Sequence, residues 1–503
     1  MPNTRKESAA KAATSLNSAS LSLLHPEVSI PHYDRQKVKT GIVHIGVGGF
    51  HRAHQALYSD ELLQNHSANE WGICGVGLLP FDKKMDTVLQ KQDCLYTLIE
   101  RHYEKETVRV IGALLEYFFA PENPEAVLEK MSSEETKIVS LTITEGGYCY
   151  NEATEEFDPG NPQVVHDLKN PSNPVGAFGF LVEALNRRRL REIPAFTIQS
   201  CDNLQNNGNL TKKMVLAFAR LRDPALSQWI GEHVTFPNSM VDRITPTTSE
   251  EDRTALSEHW GIQDDWPVVC ESFKQWVIED EFCNGRPPWE KVGVQMTADV
   301  FPYEKMKIRL LNASHASAAY LAYLDGYEYF YEAVADPLYA LFLQRLMDED
   351  VTPLLSEVPG VDLTEYKNTL LDRFCNPSVK DHMNRLCTDG SKRVPKFILS
   401  SIQEQLLQGK TPRWLSLAIA GWFRFLSAEN EKGEAFNIND PMAKVLTEKA
   451  KAGKTDPRPL LSITEIFGDF LSQSPAFTNC LRQDLKSIYQ IGVRATLENA
   501  LKM

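Results

Sequence analysis

Residues 41–53 read Gly-Ile-Val-His-Ile-Gly-Val-Gly-Gly-Phe-His-Arg-Ala, a short apolar strand that leads directly into a glycine turn and then a helix. In a dinucleotide-binding turn the first glycine permits the bend, and the second lets a pyrophosphate approach the backbone. Gly46 and Gly48 fit these positions, but the third glycine position holds His51, so a plain strand–helix turn is the alternative. The candidate cofactor contacts are Ile45, Gly46, Val47, Gly48, Gly49, Phe50, His51, Arg52 and Ala53.

The rest of the chain changes character once. Strand-like segments at 72–79, 137–144 and 194–201 alternate with helical stretches, which predicts a largely parallel sheet covered on both faces. After a cluster of Gly and Pro at 285–302 the pattern becomes helical. We therefore predict an α/β fold with an N-terminal extension (1–38), a sheet-based domain (39–297) and an all-helical domain (298–503). The predicted C-terminal helices are 304–330, 336–348, 396–409, 413–427 and 478–501.

Asp82 is the candidate for the acid that holds the adenosine ribose. Such an acid follows the second strand, usually ~20 residues after the turn, and Asp82 lies further along the chain than that. A carboxylate here favours NAD because it repels the additional phosphate of NADP. The neighbouring Lys83 and Lys84 argue in the opposite direction, and an ordinary exposed loop acid is the alternative.

The loop after the 194–201 strand reads Ser-Cys-Asp-Asn-Leu-Gln-Asn-Asn-Gly over residues 200–208. Ligands of open α/β sheets bind beyond the carboxyl ends of the strands, where this loop is expected. Asn203 can donate its amide N–H to a developing oxyanion there. The alternative is that Asp202 and Asn203 cap the following helix.

A third cluster, within residues 304–315, carries an amine, an amide and an imidazole. On a regular helix Lys307, Asn312 and His315 lie in one broad sector. Together these groups indicate hydride transfer at a carbonyl or alcohol, with a lysine base made possible by burial instead of a metal-bound water. A solvated lysine and a core histidine are the alternatives.

Composition limits the possible partners and compartments. Among 503 residues, 53 Lys and Arg are outnumbered by 67 Asp and Glu, a net charge of −14 that argues against nucleic acid. The nine cysteines form no C-x-x-C pair, so neither a zinc site nor a disulfide framework is predicted, and the cytosol is the expected compartment. The longest apolar run, 414–426, is too short to cross a membrane.

Residues 1–38, with Arg5, Lys6 and Lys11, are expected to be disordered or to wrap the surface; Glu7 weakens a transit-peptide interpretation.

Seven segments in unbroken order, from about residue 25 to the C-terminus, resemble the polyol-specific long-chain dehydrogenases. They are GIVHIGVGGFHRAHQALY, SLTITEGGYC, SCDNLQNNG, NSMVDRITP, WPVVCESFKQWVIED, YEKMKIRLLNASH and DRFCNP with DGSKRVPKF. The resemblance implies a metal-independent monomer with a Rossmann-type N-terminal domain, a helical C-terminal domain, and an active site formed between them.

The resemblance also implies roles for individual residues. The K-x4-N-x2-H motif makes Lys307 the base, and Asn312 and Asn203 the groups that stabilise the oxyanion. His315 then hydrogen-bonds the substrate oxygen, and Glu304 relays the lysine proton to solvent.

Three further positions match the family pattern. Asp242 of MVDRITP corresponds to the acid that sets the electrostatics near the lysine, and Arg385 matches a substrate-binding arginine. Arg393 stands where the family often has lysine; its planar fork keeps the charge but changes the geometry offered to a hydroxyl. We therefore place Arg385, Arg393, Asn203 and His315 at the substrate.

The predicted function is NAD-dependent interconversion of a polyol and a ketose, with a small molecule as partner and no metal. Two alternatives remain open. One is a different polyol or a uronate as substrate of the same fold, and the other is a non-catalytic NAD-binding sensor.

Overall fold

The computed structural model describes residues 13–151 and 156–502 and divides the chain into two units, Met1–Val300 and Phe301–Met503. The first unit contains a five-stranded, wholly parallel sheet in the spatial order β5-β4-β1-β2-β3. This is the strand order of dinucleotide-binding folds, in which the order of successive strands reverses next to the first strand. The strands are β1 (Thr40–Ile45), β2 (Gly72–Gly77), β3 (Leu114–Phe119), β4 (Ile138–Leu141) and β5 (Thr197–Ser200).

Four of these five strands were predicted from the sequence, and β3 was not. Strands β1, β2, β4 and β5 are buried along their whole length, as expected for a sheet covered on both faces. The α-helices of the first unit are Gly49–Ala53, Gln55–His66, Asp82–Lys91, Pro124–Ser132, Pro162–Lys169, Ala177–Leu190, Asn207–Arg222, Pro224–His233 and Glu250–Trp260.

Smaller sheets complete the first unit, and none was predicted. A three-stranded sheet joins Tyr96–His102, Lys105–Ile111 and Val268–Glu271, and a second joins Ser239–Asp242, Gln275–Glu279 and Gln295–Thr297. Tyr150–Asn151 pairs with Glu156–Phe157. Short 3-10 helices cover Ser18–Leu23, Arg35–Lys37, Glu145–Tyr148 and Trp289–Val292.

The N-terminal segment, over residues 13–38, lies on the surface of the first unit. Its strand Thr14–Ser15 pairs in parallel with Ile262–Gln263. Arg35 donates to three backbone carbonyls of the same unit. Residues 13–38 therefore wrap the surface, which was one of the two expectations, and they are not disordered. Residues 1–12, including the basic side chains of a possible transit peptide, lie outside the described range.

The second unit is helical, and over its described residues the only extended pairings are isolated bridges. The α/β prediction with a helical C-terminal domain is confirmed. Its α-helices are Phe301–Lys307, Ala313–Asp325, Phe330–Ala335, Pro337–Arg345, Leu363–Phe374, Met383–Leu386, Gly390–Val394, Ser400–Leu407, Arg413–Phe425, Ala443–Gly453, Arg458–Leu461, Thr464–Gln473 and Pro475–Leu501.

Four predicted helices, 304–330, 336–348, 396–409 and 478–501, are less regular than expected. The segment 304–330 contains a π-helical turn, Ile308–Asn312, and Pro475–Leu501 is broken at Gly492, where φ is 84°. Two other π turns, Leu346–Val351 and Pro395–Leu399, and a 3-10 turn, Thr352–Leu354, complete the unit. The helix Arg413–Phe425 is buried almost throughout, and among the described helices none is long and apolar enough to span a bilayer.

Candidate active site

The glycine turn after β1 has the shape that a dinucleotide requires. Gly46 has φ +95°, and a Cβ there would lie 2.1 Å from the carbonyl oxygen of Thr142, so only glycine fits. At Gly48 a Cβ would meet no described atom within 4 Å, which leaves the backbone open to a ligand. The first N–H groups of the helix that follows have no acceptor inside the helix. The turn therefore fits a pyrophosphate.

The third glycine position is filled by a ring. The His51 side chain is buried, and its ring stacks on that of His44 in β1 with centroids 3.5 Å apart. A ring-to-ring contact thus replaces the close helix–strand approach that a third glycine allows. Val47 packs against Gly75, and the Phe50 ring stacks at 4.8 Å on a neighbouring histidine.

Three of the predicted cofactor contacts lie behind the turn. Ile45 and Ala53 are fully buried. The Arg52 guanidinium is also buried, where Nη1 donates to the carbonyl oxygen of Trp266. The structure therefore offers Gly46, Gly48 and the start of the helix, and not these three side chains, to a ligand.

Asp82 lies at the carboxyl end of β2. It is half-buried against Gly77, where an added Cβ would lie 2.6 Å from the Cβ of Asp82. Its Oδ2 accepts the Leu79 N–H at 2.9 Å, and burial raises the pKa of the carboxyl. Asp82 is the first residue of a helix, so the description as an ordinary exposed loop acid is wrong.

The two lysines beside Asp82 have other contacts. Lys83 Nζ donates to Asp86 at 3.1 Å and to Glu122 at 2.6 Å. Lys84 Nζ lies 4.9 Å from the ring centroid of Trp266. Both ammonium groups thus already contact other side chains of the first unit.

Asp202 ties together the loops that follow β4 and β5. Its carboxylate accepts the backbone N–H groups of Ile143 (3.1 Å) and Thr144 (2.8 Å) and the hydroxyl of Tyr148 (2.7 Å). Burial raises the pKa of Asp202, and these donors oppose that effect. Asn203, the next residue, is exposed at the carboxyl edge of the sheet.

The capping alternative for this loop is wrong. The helix Asn207–Arg222 begins after Asn206 and receives no side-chain cap. Asn207, to which the sequence analysis assigned no role, donates its amide to the carbonyls of Asp202 (3.0 Å) and Ser239 (2.8 Å) and accepts the Ser239 N–H. It thereby fixes the loop that carries Asn203 to the strand that carries Asp242.

Asp242 is the last residue of the strand Ser239–Asp242 and is buried. Its negative charge acts on His54 and Tyr58, which places it near the base of the glycine turn. The adjacent Arg243 is also buried, and its guanidinium donates to the carbonyl of Ala53 and pairs with Glu100.

In the second unit, one continuous helical segment carries Glu304, Lys307, Asn312 and His315, and all four side chains are buried. The π turn lies between Lys307 and Asn312, where the Ala313 N–H reaches the Ile308 carbonyl five residues back. Residues five apart share a face across such a turn, as residues three or four apart do in an α-helix. The π turn therefore corrects the regular helix assumed from sequence and brings the four side chains onto one face.

The opposite side of this segment is anchored by ion pairs. Arg309 Nη2 lies 2.6 Å from Glu404 Oε2, and Lys305 Nζ lies 3.6 Å from the same carboxylate. Glu404 belongs to the helix Ser400–Leu407. These pairs fix the rotation of the segment, and with it the direction of the Lys307 face.

His315 lies between two aromatic rings, with centroids 4.6 Å from Phe330 and 4.3 Å from Phe374. Burial lowers the pKa of His315 to about 3; the charge of Asp381 opposes this shift, and those of Arg385, Arg373 and Arg393 add to it. The imidazole is therefore neutral near pH 7 and can hydrogen-bond a hydroxyl.

The two arginines predicted at the substrate both act electrostatically on His315. Arg385 Nε donates to Asp381 at 2.7 Å, and its Nη2 pairs with the other oxygen of that carboxylate. Arg393 Nη1 donates to the Leu386 carbonyl at 3.0 Å. Asp381 was not among the residues predicted from the sequence, although its spacing of four residues from Arg385 was a usable signal.

Among the described residues, no three His, Cys, Asp or Glu side chains lie close enough together to hold a metal ion. The candidate site therefore consists of amine, amide, imidazole, carboxylate and guanidinium groups.

Two family descriptions match the chain in succession. The mannitol dehydrogenase Rossmann domain matches residues 40–291, and the mannitol dehydrogenase C-terminal domain matches residues 299–489. Among similar proteins, the mannitol 2-dehydrogenase of Aspergillus fumigatus is 49% identical over 477 residues, which cover 93% of this chain and 95% of the relative. That of Phaeosphaeria nodorum is 47% identical over 489 residues, 97% of this chain and 85% of the relative.

Two solved structures are also similar over nearly the whole chain. The ternary complex of Pseudomonas fluorescens mannitol 2-dehydrogenase with NAD and D-mannitol has 46% identity and a TM-score of 0.87, covering 97% of this chain and 100% of that one. A D-sorbitol dehydrogenase in substrate-free form has 40% identity and a TM-score of 0.90, covering 96% of this chain and 100% of that one.

Proposed function

The chain belongs to the mannitol dehydrogenase family, and from that membership and its site we propose that it interconverts D-mannitol and D-fructose with NAD. The observation that carries the proposal is the single helix face holding Glu304, Lys307, Asn312 and His315. When bound, NAD accepts the hydride from C2 of the polyol. The proton of the C2 hydroxyl passes to a residue of this chain.

We assign NAD to the glycine turn and Asp82. The open backbone at Gly48 suits the pyrophosphate, and Asp82, at the end of β2, suits the hydroxyls of the adenosine ribose. A half-buried carboxylate there disfavours a 2′-phosphate. The contacts of Lys83 and Lys84 with other side chains support the same preference for NAD.

We assign the base to Lys307. It takes the hydroxyl proton as hydride leaves C2, and Glu304, one helical turn earlier, passes that proton toward solvent. Asn312 donates its amide to the oxygen as negative charge develops, and neutral His315 hydrogen-bonds the same oxygen. In ketose reduction each step is reversed.

From the first unit, we assign a second amide donor to Asn203 and the electrostatic control of the lysine to Asp242. Two observations support these roles. Asn203 follows β5 at the carboxyl edge of the sheet and is exposed, and Asn207 holds its loop to the strand of Asp242. Both assignments rest on the family motifs.

We assign recognition of the remaining hydroxyls to Arg385 and Arg393. Both offer several N–H donors in a fixed plane, and Asp381 orients the fork of Arg385.

We further propose that no metal takes part, since the site's groups are not arranged as metal ligands. We also propose a monomer, which the resemblance to the family implies, in a reducing compartment, which the nine free cysteines support.

The second candidate is oxidation of D-sorbitol, which the similarity to a D-sorbitol dehydrogenase favours. D-mannitol and D-sorbitol differ only in the configuration at C2, so reduction of D-fructose distinguishes them by product. We expect NADH-driven reduction to yield D-mannitol, identified by chromatography. D-sorbitol as the main product would replace the proposal by the second candidate.

A substrate panel followed at 340 nm tests the wider proposal. We expect D-fructose to be reduced far better than fructuronate, and NADH to serve better than NADPH. A tenfold preference for fructuronate or a pentulose would leave the chemistry in place and change the substrate. Absence of turnover with every member, while NADH still binds, would favour a non-catalytic NAD-binding sensor.

A further inference from the structure

A buried chain of polar groups ends on the carbonyl oxygen of Gly46, beneath the glycine turn. Thr142 Oγ1 lies 2.6 Å from that oxygen, and His44 Nε2 lies 2.8 Å from Thr142 Oγ1. A threonine hydroxyl has one proton, and at 2.6 Å it must be donated to the carbonyl. His44 Nε2 must then be protonated and donate to Thr142. The Nε2 atom also lies 3.3 Å from the Gly46 oxygen, where an unprotonated nitrogen would be repelled.

The other ring nitrogen extends the chain in the same direction. With Nε2 protonated, neutral His44 accepts at Nδ1, and Ser140 Oγ lies 2.8 Å away and donates to it. Ser140 in turn needs a donor, and the Gln55 side-chain amide lies 2.9 Å from it.

Turning that amide by 180° directs Gln55 Nε2–H at Ser140 and gives a partner to the Gln55 side-chain nitrogen, which otherwise has none among the described residues. All donors then point one way. We call this chain the buried relay; in order of donation its members are Gln55, Ser140, His44, Thr142 and the Gly46 carbonyl.

We propose that His44, as the neutral Nε2–H tautomer, is a positioning residue for the dinucleotide, acting through the buried relay on Gly46. The Gly46 carbonyl also accepts the N–H of Gly48 at 2.8 Å. Fixing this oxygen therefore fixes the peptide that faces the open space at Gly48, where a pyrophosphate approaches. The inference rests on the proposed binding of NAD at this turn.

The charge state of His44 suits this role. Burial lowers its pKa to about 3, so the ring stays neutral over the working pH range. The direction of the relay then depends on the tautomer alone, and the hydrogen bonds to Ser140 and Thr142 select it.

Replacing Thr142 tests the last donor of the relay. Thr142→Val keeps the shape of the side chain but removes the hydroxyl that donates to the Gly46 carbonyl and accepts the His44 N–H. We expect the Kd of NADH, read by quenching of protein fluorescence, to rise roughly tenfold or more. The kcat at saturating NADH should change little, and Thr142→Ser, which retains the hydroxyl, should restore binding.

Thr197→Val is the matched control. Thr197 is a fully buried threonine of the same sheet, in β5, and its hydroxyl contacts Thr235 instead of the turn. We expect its NADH affinity to equal that of the wild type. Unchanged binding in Thr142→Val, or equal weakening in Thr197→Val, would overturn the inference. Wild-type protein that fails to bind NADH would instead overturn the proposed function.

The tautomer can be observed directly. In protein labelled with ¹⁵N-histidine, the His44 signals, assigned by their loss in His44→Gln, should show Nε2 protonated and Nδ1 unprotonated. A proton on Nδ1, or a charged ring, would contradict the direction of the relay.

Discussion

Lys307 and Asn312 stand five residues apart, and the π turn between them places both on the same face of one helical segment. Glu304 and His315 extend that face by one α-helical turn on either side. The proposed base, the proposed proton relay Glu304 and the two groups that we assign to the substrate oxygen are thus positioned by a single helical segment. π turns are rare and occur frequently at functional sites.

Loss of the Lys307 amine should abolish the proton transfer and spare the cofactor. We expect Lys307→Ala to lower kcat by ~10²–10⁴-fold or more, with little change in the Kd of NADH. Small primary amines should restore part of the rate. The matched control is Lys305→Ala, which removes an amine from the opposite face of the same helix, where it pairs with Glu404; a similar loss in both variants would contradict the assignment.

Asp82 should determine the choice of cofactor. We expect Asp82→Ala to weaken use of NAD and improve use of NADP, because the negative charge next to the ribose is gone. The measurement is the ratio of kcat/KM for the two cofactors. If wild type already prefers NADPH, Lys83 and Lys84 determine the choice, and the double alanine variant of these lysines should then reverse it.

Asp381 should act on the substrate through Arg385. The Arg385 guanidinium now donates to both oxygens of Asp381, and Asp381→Asn leaves only one of them as an acceptor. The orientation of Arg385 is then no longer fixed. We expect the KM for D-fructose to rise about tenfold with an unchanged Kd for NADH. Asp348→Asn, which weakens an exposed pair with Lys367, is the control and should behave as wild type. An unchanged KM in Asp381→Asn would remove Asp381 from this role.

Chelation should leave the enzyme active. After exhaustive dialysis against EDTA we expect full turnover, because the proposed base is an amine and the oxygen is held by amide and imidazole groups. Loss of activity that Zn²⁺ restores would refute the lysine mechanism.

Acid should destabilise the first unit through its buried histidines. Burial lowers the pKa of His54 from 6.5 to about 3, so between these values the unfolded chain binds a proton that the folded chain does not. Stability is therefore lost as pH falls from 6.5 to 3, by ~1.4 kcal/mol per pH unit for one such group. Asp60, whose pKa burial raises to about 6, has the opposite effect below pH 6.

Comparison with a variant isolates the contribution of His54. We expect the free energy of unfolding of His54→Gln, measured in urea at pH 6 and pH 4.5, to fall less steeply than that of wild type by about this amount. His233→Gln, which replaces an exposed histidine, should keep the wild-type slope. Parallel slopes for His54→Gln and wild type would show that His54 is protonated in the fold.

The elements predicted correctly are those whose signal is local. Strand β1 and its turn could be identified because an apolar run and two glycines are adjacent in the chain. Strand β3 was missed because it lies at the sheet edge and is fully buried only at Leu114 and Tyr117, a pattern with neither the alternation nor the continuous burial that marks a strand.

The site shows the same division. The spacing of Lys307, Asn312 and His315 predicted a shared sector, but no local rule predicts the π turn between them, which became visible only in the structure. The position of Asp202 before a helix likewise suggested a local cap, whereas its carboxylate accepts backbone N–H groups almost sixty residues earlier in the chain.

The pairing of Thr14–Ser15 with Ile262–Gln263 has a consequence for biosynthesis. The two strands are separated by 248 residues, so Thr14–Ser15 leaves the ribosome with no partner strand until most of the unit has been made. Contacts this distant in sequence form late and slowly. We therefore expect the N-terminal segment to be among the last parts of the first unit to dock, and a nascent chain arrested before residue 262 to leave Thr14–Ser15 without its partner strand.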